Sequence, residues 1–107
     1  MALKPTIYKF DIALSDIDEG RYENLNLTVA QHPSETIERM MVRLMAYCLN
    51  LSEGLEFTTG LSNTEEPDLV QRSLDGITLN WIEVGEPNAE RVRKASTIAR
   101  QVKVYCF

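Results

Sequence analysis

A chain of 107 residues, 44% hydrophobic and 25% charged, has the length for one small core and excludes a multidomain machine. Sixteen Asp and Glu against eleven Lys and Arg leave a formal charge of −5. That is the wrong sign for coating a whole face with phosphate, so contact with nucleic acid has to be confined to a local groove. No apolar stretch is long enough to cross a bilayer, and Met1-Ala2-Leu3-Lys4-Pro5-Thr6 lacks the apolar run of a signal peptide; the expectation is a cytoplasmic protein without membrane contact.

Residues 6–14 place Tyr8, Phe10, Ile12 and Leu14 on one side and Lys9, Asp11 and Ala13 on the other, and Leu25, Leu27 and Val29 alternate with Asn24, Asn26 and Thr28. This period of two, broken by a polar turn ending in Gly20, predicts an antiparallel hairpin. His32-Pro33-Ser34-Glu35 ends the second strand, with His32 fixing the turn and Ser34 the N-cap of a helix. Ile37, Met40, Met41, Leu44, Met45, Cys48 and Leu51 recur at helical spacing and are expected to face a sheet, leaving Arg39, Arg43 and Asn50 outside. Cys48 and Cys106 lack metal or disulfide spacing and read as small core hydrophobes.

A short strand is expected at residues 55–58, then an irregular loop over residues 60–68, and one helical turn over residues 68–73. Residues 77–84 form an apolar run with little alternation, as a central strand covered on both faces would. Asn88 caps a helix over residues 89–99 with Val92, Ala95 and Ile98 or Ala99 inward, and residues 101–107 return to strand alternation. The last strand, helix and strand read as a right-handed βαβ unit. The fold class is therefore α/β (α+β), a mixed β-sheet with an N-terminal hairpin.

Glu83 is the anomaly in the central strand. A carboxylate there is costly to desolvate, so it escapes at the strand end, is paired with Arg91 or Lys94, or serves a metal site. Asp68 lies in the loop entering that strand and Lys94 in the helix leaving it. Two converging carboxylates suit Mg²⁺ or Mn²⁺, with the lysine orienting a water. On the first helix Glu38 falls at the edge of the apolar stripe, while Glu35 is placed for an i, i+4 pair with Arg39.

His32-Pro33-Ser34-Glu35-Thr36-Ile37-Glu38-Arg39-Met40-Met41, Trp81-Ile82-Glu83-Val84-Gly85-Glu86-Pro87 and Arg91-Val92-Arg93-Lys94-Ala95 together resemble the YaeQ family along the whole chain. The resemblance implies a variant of the PD-(D/E)XK, restriction-endonuclease-like core. Pro67-Asp68 then resembles the PD element and Glu83 the acid of the second element. Gly85 stands where that element carries lysine, with Lys94, then Arg91, as replacements from the next helix. Glu35 or Glu38 matches the acid on the first core helix. Members of the family continue beyond the point where this chain stops, so the single domain over residues 1–107 is expected to be incomplete and to dimerise through its open sheet edge.

Two functions follow. The first is a divalent-metal-dependent phosphodiester hydrolase, with Asp68, Glu83 and Glu38 or Glu35 around Mg²⁺, Lys94 assisting, and Arg39, Arg43, Arg91 and Arg93 lining a nucleic-acid groove. The second is a catalytically degenerate relative acting as a protein- or nucleic-acid-interaction module. The absence of a P-loop, a GxGxxG run and a nucleophile elbow argues against nucleotide hydrolases, dinucleotide enzymes and serine hydrolases.

Overall fold

Alternation in the first thirty residues is realised as two long strands, β1 (Thr6–Asp16) and β2 (Arg21–Gln31), in the computed structural model, which describes residues 4–58 and 66–107. They pair antiparallel in register from Thr6↔Gln31 to Asp16↔Arg21. Tyr8, Phe10, Ile12 and Leu14 are half-buried and their neighbours exposed, as the period of two requires. Both strands run further toward the turn than their apolar residues do. Gly20, at φ +65°, and the Glu19 amide donating to Asp16 Oδ1 at 3.2 Å close the chain within four residues.

The hairpin is a sheet of its own, where one mixed sheet was expected. The chain divides into two compact units, Met1–Thr36 and Ile37–Phe107. The second unit holds α1 (Ile37–Leu49), β3 (Leu55–Phe57), β4 (Leu69–Arg72), β5 (Thr78–Val84), α2 (Ala89–Ile98) and β6 (Gln101–Tyr105). Its four strands lie in the order β3-β4-β5-β6, with β3 and β4 antiparallel to their neighbours and β5 parallel to β6 across α2. The expected parallel pair is thus present at the end of the chain.

β4 replaces the helical turn expected at residues 68–73. Leu69 and Val70 are 0% and 1% exposed, and consecutive buried residues suit a strand covered on both faces better than an isolated turn. Residues 59–65, most of the expected irregular loop, lie outside the described residues. Gly54 sits where a Cβ would fall 2.1 Å from the Arg72 carbonyl oxygen, at φ +85°, so only glycine lets β3 enter beside the bulge between Gln71 and Arg72.

Two layers of side chains cover the second sheet. Ile82, Leu69, Leu55 and Ala46 of α1 form one cluster, with Tyr47, Phe57 and Tyr105 against it. Trp81, with Ala95 of α2 and Ala99, forms another, with Val102 against it. Because adjacent strand residues point oppositely, Ile82 and Trp81 assign α1 and α2 to opposite faces. Asn88 caps α2 as expected, its Oδ1 accepting from the Arg91 amide at 2.8 Å, and of the two residues expected inward at its end, Ile98 or Ala99, it is Ala99 that is buried while Ile98 is exposed.

The first helix corrects its sequence reading. It begins at Ile37, and Ser34 lies before it, bonded through Oγ to His32 Nδ1 at 2.8 Å instead of capping. His32 does hold the turn: the Ser34 amide donates to its Nδ1 and the Glu35 amide to its carbonyl. Met40, Arg43, Leu44 and Ala46 are buried, whereas Ile37, Met41 and Met45 are exposed. Arg39, Arg43 and Asn50, expected outside, all have partners in the second unit. Apolar residues surround this helix almost completely, so their spacing alone does not fix its rotation.

Neither cysteine is fully buried as expected. Cys106 lies past the end of β6 and is exposed, and Cys48 is half-buried, its thiol pushed up in pKa by burial. A thiol reagent near neutral pH should modify Cys106 first and Cys48 more slowly, checked by mass spectrometry of the digested protein. Ile82→Ala should destabilise the second unit by about 2–5 kcal/mol, while Met45→Ala should change stability by less than about 0.5 kcal/mol; urea denaturation measures both.

Candidate functional site

β5 carries its polar exception at the end facing α2. Glu83 follows Trp81 by two residues, so both side chains lie on the α2 face. Glu83 is 6% exposed. Its Oε1 accepts from Trp81 Nε1 at 2.9 Å and from Arg91 Nε at 2.8 Å. Arg91 reaches back because the Asn88 cap fixes the first turn of α2, and its Nη2 also donates to the Glu66 carbonyl at 2.5 Å. One guanidinium thereby joins the end of β5 to the chain entering β4.

Asp68, 4% exposed, closes the other side of the same strand end. The regular β4–β5 register stops at Leu69↔Ile82. Beyond it the Asp68 amide donates to the Ile82 carbonyl at 3.0 Å, and Asp68 Oδ2 accepts the Val84 amide at 2.8 Å. Arg39 of α1 completes the substitution for the missing ladder, its Nη2 donating to Asp68 Oδ1 at 2.7 Å and to the Val84 carbonyl at 3.1 Å. Side chains thus satisfy the polar groups of Val84, which is paired with Tyr105 of β6 but has no partner left in β4. Thr58 Oγ1 donates to the Pro67 carbonyl, holding the approach to Asp68.

The arrangement is charge-neutral: two buried carboxylates face two guanidiniums, whose side chains are 18% and 28% exposed. The structure brings Asp68 to Arg39 and Glu83 to Arg91, one pair at each side of the end of β5. Lys94 is exposed on α2, its carbonyl accepting from Thr97 Oγ1 at 2.6 Å while its ammonium makes no hydrogen bond or ion pair among the described residues; it lines a groove with Trp81 and Arg91. Glu38 is exposed on α1. Glu35 belongs to the first unit, ahead of the helix, where its Oε1 accepts the His32 amide at 3.3 Å. Arg43 is buried with its guanidinium carbon 5.9 Å from the centre of the Phe57 ring, itself stacked on Tyr47 at 4.8 Å. Arg93 pairs with Glu90 on the surface of α2.

Gly85, the position at which the resemblance expects lysine, has φ +111°. That backbone conformation is strained for any residue with a side chain, so the departure is built into the turn leaving β5. The sequence reading anticipated the Glu83–Arg91 pair as one alternative but missed Arg39 on Asp68, because it placed Arg39 outside. The Trp-x-Glu spacing was a usable signal for the indole–carboxylate bond.

The family model described as YaeQ protein matches residues 1–107. The chain belongs to the YaeQ family. It is 46% identical over 108 residues to the Uncharacterized protein YaeQ of Salmonella typhi and 44% identical to that of Escherichia coli strain K12, covering 100% of this chain and 59% of each relative. The crystal structure of the YaeQ protein from Pseudomonas syringae superposes with a TM-score of 0.89 at 47% identity, and that from Xanthomonas axonopodis pv. citri with 0.87 at 48%. Each match covers 94% of this chain and 56% of the solved one. The YaeQ-family chain thus spans little more than half the length of the relatives it matches. No helix among its described residues is long and apolar enough to cross a membrane.

Removing either arginine leaves a buried carboxylate without its counter-charge. Arg39→Ala and Arg91→Ala should each destabilise the second unit by about 3–5 kcal/mol, against under about 1 kcal/mol for Arg93→Ala on the surface; guanidinium denaturation of the three variants checks this.

Proposed function

We propose that this YaeQ-family chain carries a PD-(D/E)XK nuclease-like core that binds nucleic acid without hydrolysing it, its acidic pair serving as a charge lattice. The observation that carries this reading is that each acid at the end of β5 is already matched by an arginine, Arg39 on Asp68 and Arg91 on Glu83. The donor set does not fit Mg²⁺ or Mn²⁺ as it is folded. Both Asp68 oxygens hold a donor and Glu83 Oε1 holds two. The four charges sum to zero and offer little attraction to a divalent ion, which needs anionic oxygens. No group of three His, Cys, Asp or Glu able to hold a metal occurs among the described residues. Gly85 supports the same reading, since its conformation disfavours the lysine that such nucleases place there.

The test is a calorimetric titration of Mn²⁺ and Mg²⁺ into the protein and into Glu83→Ala, with folding verified by circular dichroism and oligonucleotide cleavage followed in parallel. The expected result is no stoichiometric uptake below millimolar metal, no cleavage, and oligonucleotide binding that weakens with salt. Uptake of one ion that Glu83→Ala abolishes, or metal-dependent cleavage, would overturn the proposal and return Asp68, Glu83, Glu38 or Glu35, and Lys94 to a hydrolytic site. Failure to bind any oligonucleotide at low salt would overturn it as well.

A further inference from the structure

β6 ends the order β3-β4-β5-β6, so one of its sides has a neighbour and the other is an open edge among the described residues. We propose that this edge takes an extended segment of a partner protein, apolar on one side and carrying an acid on the other, with Lys103 and Tyr105 receiving the acid.

The main chain is arranged for a further strand. In a parallel pair, alternate residues turn both N–H and C=O toward the neighbour. The Tyr105 carbonyl accepts from the Gly85 amide at 2.8 Å. By that alternation Gln101, Lys103 and Tyr105 face β5, and Val102 and Val104 direct their N–H and C=O outward. An unpaired row of this kind is a template for strand addition.

Side chains decide which strand fits. Lys103 stands opposite Ile82 and Tyr105 opposite Val84, so both lie on the α1 face. Asn50, just past α1, joins their ends. Lys103 Nζ donates to Asn50 Oδ1 at 2.6 Å, and Asn50 Nδ2 donates to the Tyr105 hydroxyl oxygen and to the Ala46 carbonyl, each at 2.8 Å. Since its oxygen already accepts, the Tyr105 hydroxyl has a hydrogen to give. Neither that hydrogen nor the remaining ammonium hydrogens of Lys103 has an acceptor among the described residues, and the half-buried Lys103 pairs with no carboxylate there. Two donors held side by side by one carboxamide, with one positive charge between them, select a carboxylate. On the α2 face Val104, 38% exposed, would be covered by an aliphatic residue next to that acid in the added strand.

A second copy of this chain fits less well. The register that overlaps two copies of the five-residue β6 completely is centred on Lys103 and sets the two ammonium groups opposite each other, where like charges repel. The complementary charge has to come from another sequence.

The test follows a dye-labelled heptapeptide, Val-Thr-Val-Glu-Val-Thr-Val, by fluorescence anisotropy, with its glutamine counterpart as control and sedimentation of the protein alone in parallel. Expected are saturable binding of the glutamate peptide and about tenfold weaker binding of the glutamine peptide. Lys103→Ala should cost the glutamate peptide the same factor and the glutamine peptide little, so the two losses do not add. Val104→Pro should abolish binding and leave the circular dichroism unchanged, because the amide it removes faces away from β5. Should that variant not fold, the two peptides on Lys103→Ala still decide. No saturable binding at millimolar peptide, equal affinity for both peptides, or binding indifferent to Lys103→Ala would overturn the proposal. A protein dimer that Val104→Pro dissociates would overturn it as well, giving the edge to a second copy.

Discussion

Two carboxylates buried at the end of one strand are the constraint around which the second unit is organised. Neither Asp68 nor Glu83 can be desolvated alone, and each takes a guanidinium from a different helix. Arg39 comes from α1 and Arg91 from α2, helices that cover opposite faces of the sheet. The two ion pairs therefore fasten both helices to the same point of β5. Apolar clusters around Ile82 and Trp81 supply the burial, but these non-directional contacts would tolerate a shifted helix; the charge-assisted bonds, at 2.7 and 2.8 Å, would not.

The same constraint bears on chemistry. A nuclease-like centre needs its acids poorly compensated, so that a cation is drawn to them. Here the compensation is covalently attached and partly buried, and the backbone at Gly85 turns through a conformation that suits only glycine. Those features point the same way although they are physically independent, one electrostatic and one steric. The YaeQ relatives continue well beyond the length matched by this chain, so what the longer proteins add to this strand end is a separate question from what the strand end itself can hold.

Elements with a single period were legible in the sequence. The hairpin alternates cleanly from Tyr8 to Leu14 and from Leu25 to Val29, and Asn88 announces α2 by its cap. Glu83 stood out because a lone acid in an apolar strand demands an explanation, and a cation from the next helix was among those considered. Elements that failed had ambiguous patterns. Leu69-Val70-Gln71-Arg72 is too short for periodicity to separate turn from strand, and only its pairing with β5 decides. In α1 apolar residues occur on nearly every side, so the helix could be rotated without losing its pattern. Its orientation is fixed by Arg39 and Arg43, whose partners Asp68 and Phe57 are distant in sequence.

The charge balance of the whole chain also looks different once the pairs are known. A net charge of −5 suggests a surface that repels phosphate, yet the sum says nothing about where the acids are neutralised. Around α2, Glu83 is matched by Arg91 and Glu90 by Arg93, and among the described residues lining its groove the unmatched charge is the ammonium of Lys94. An acidic protein can therefore present a locally positive cleft, provided every carboxylate near it has its own arginine.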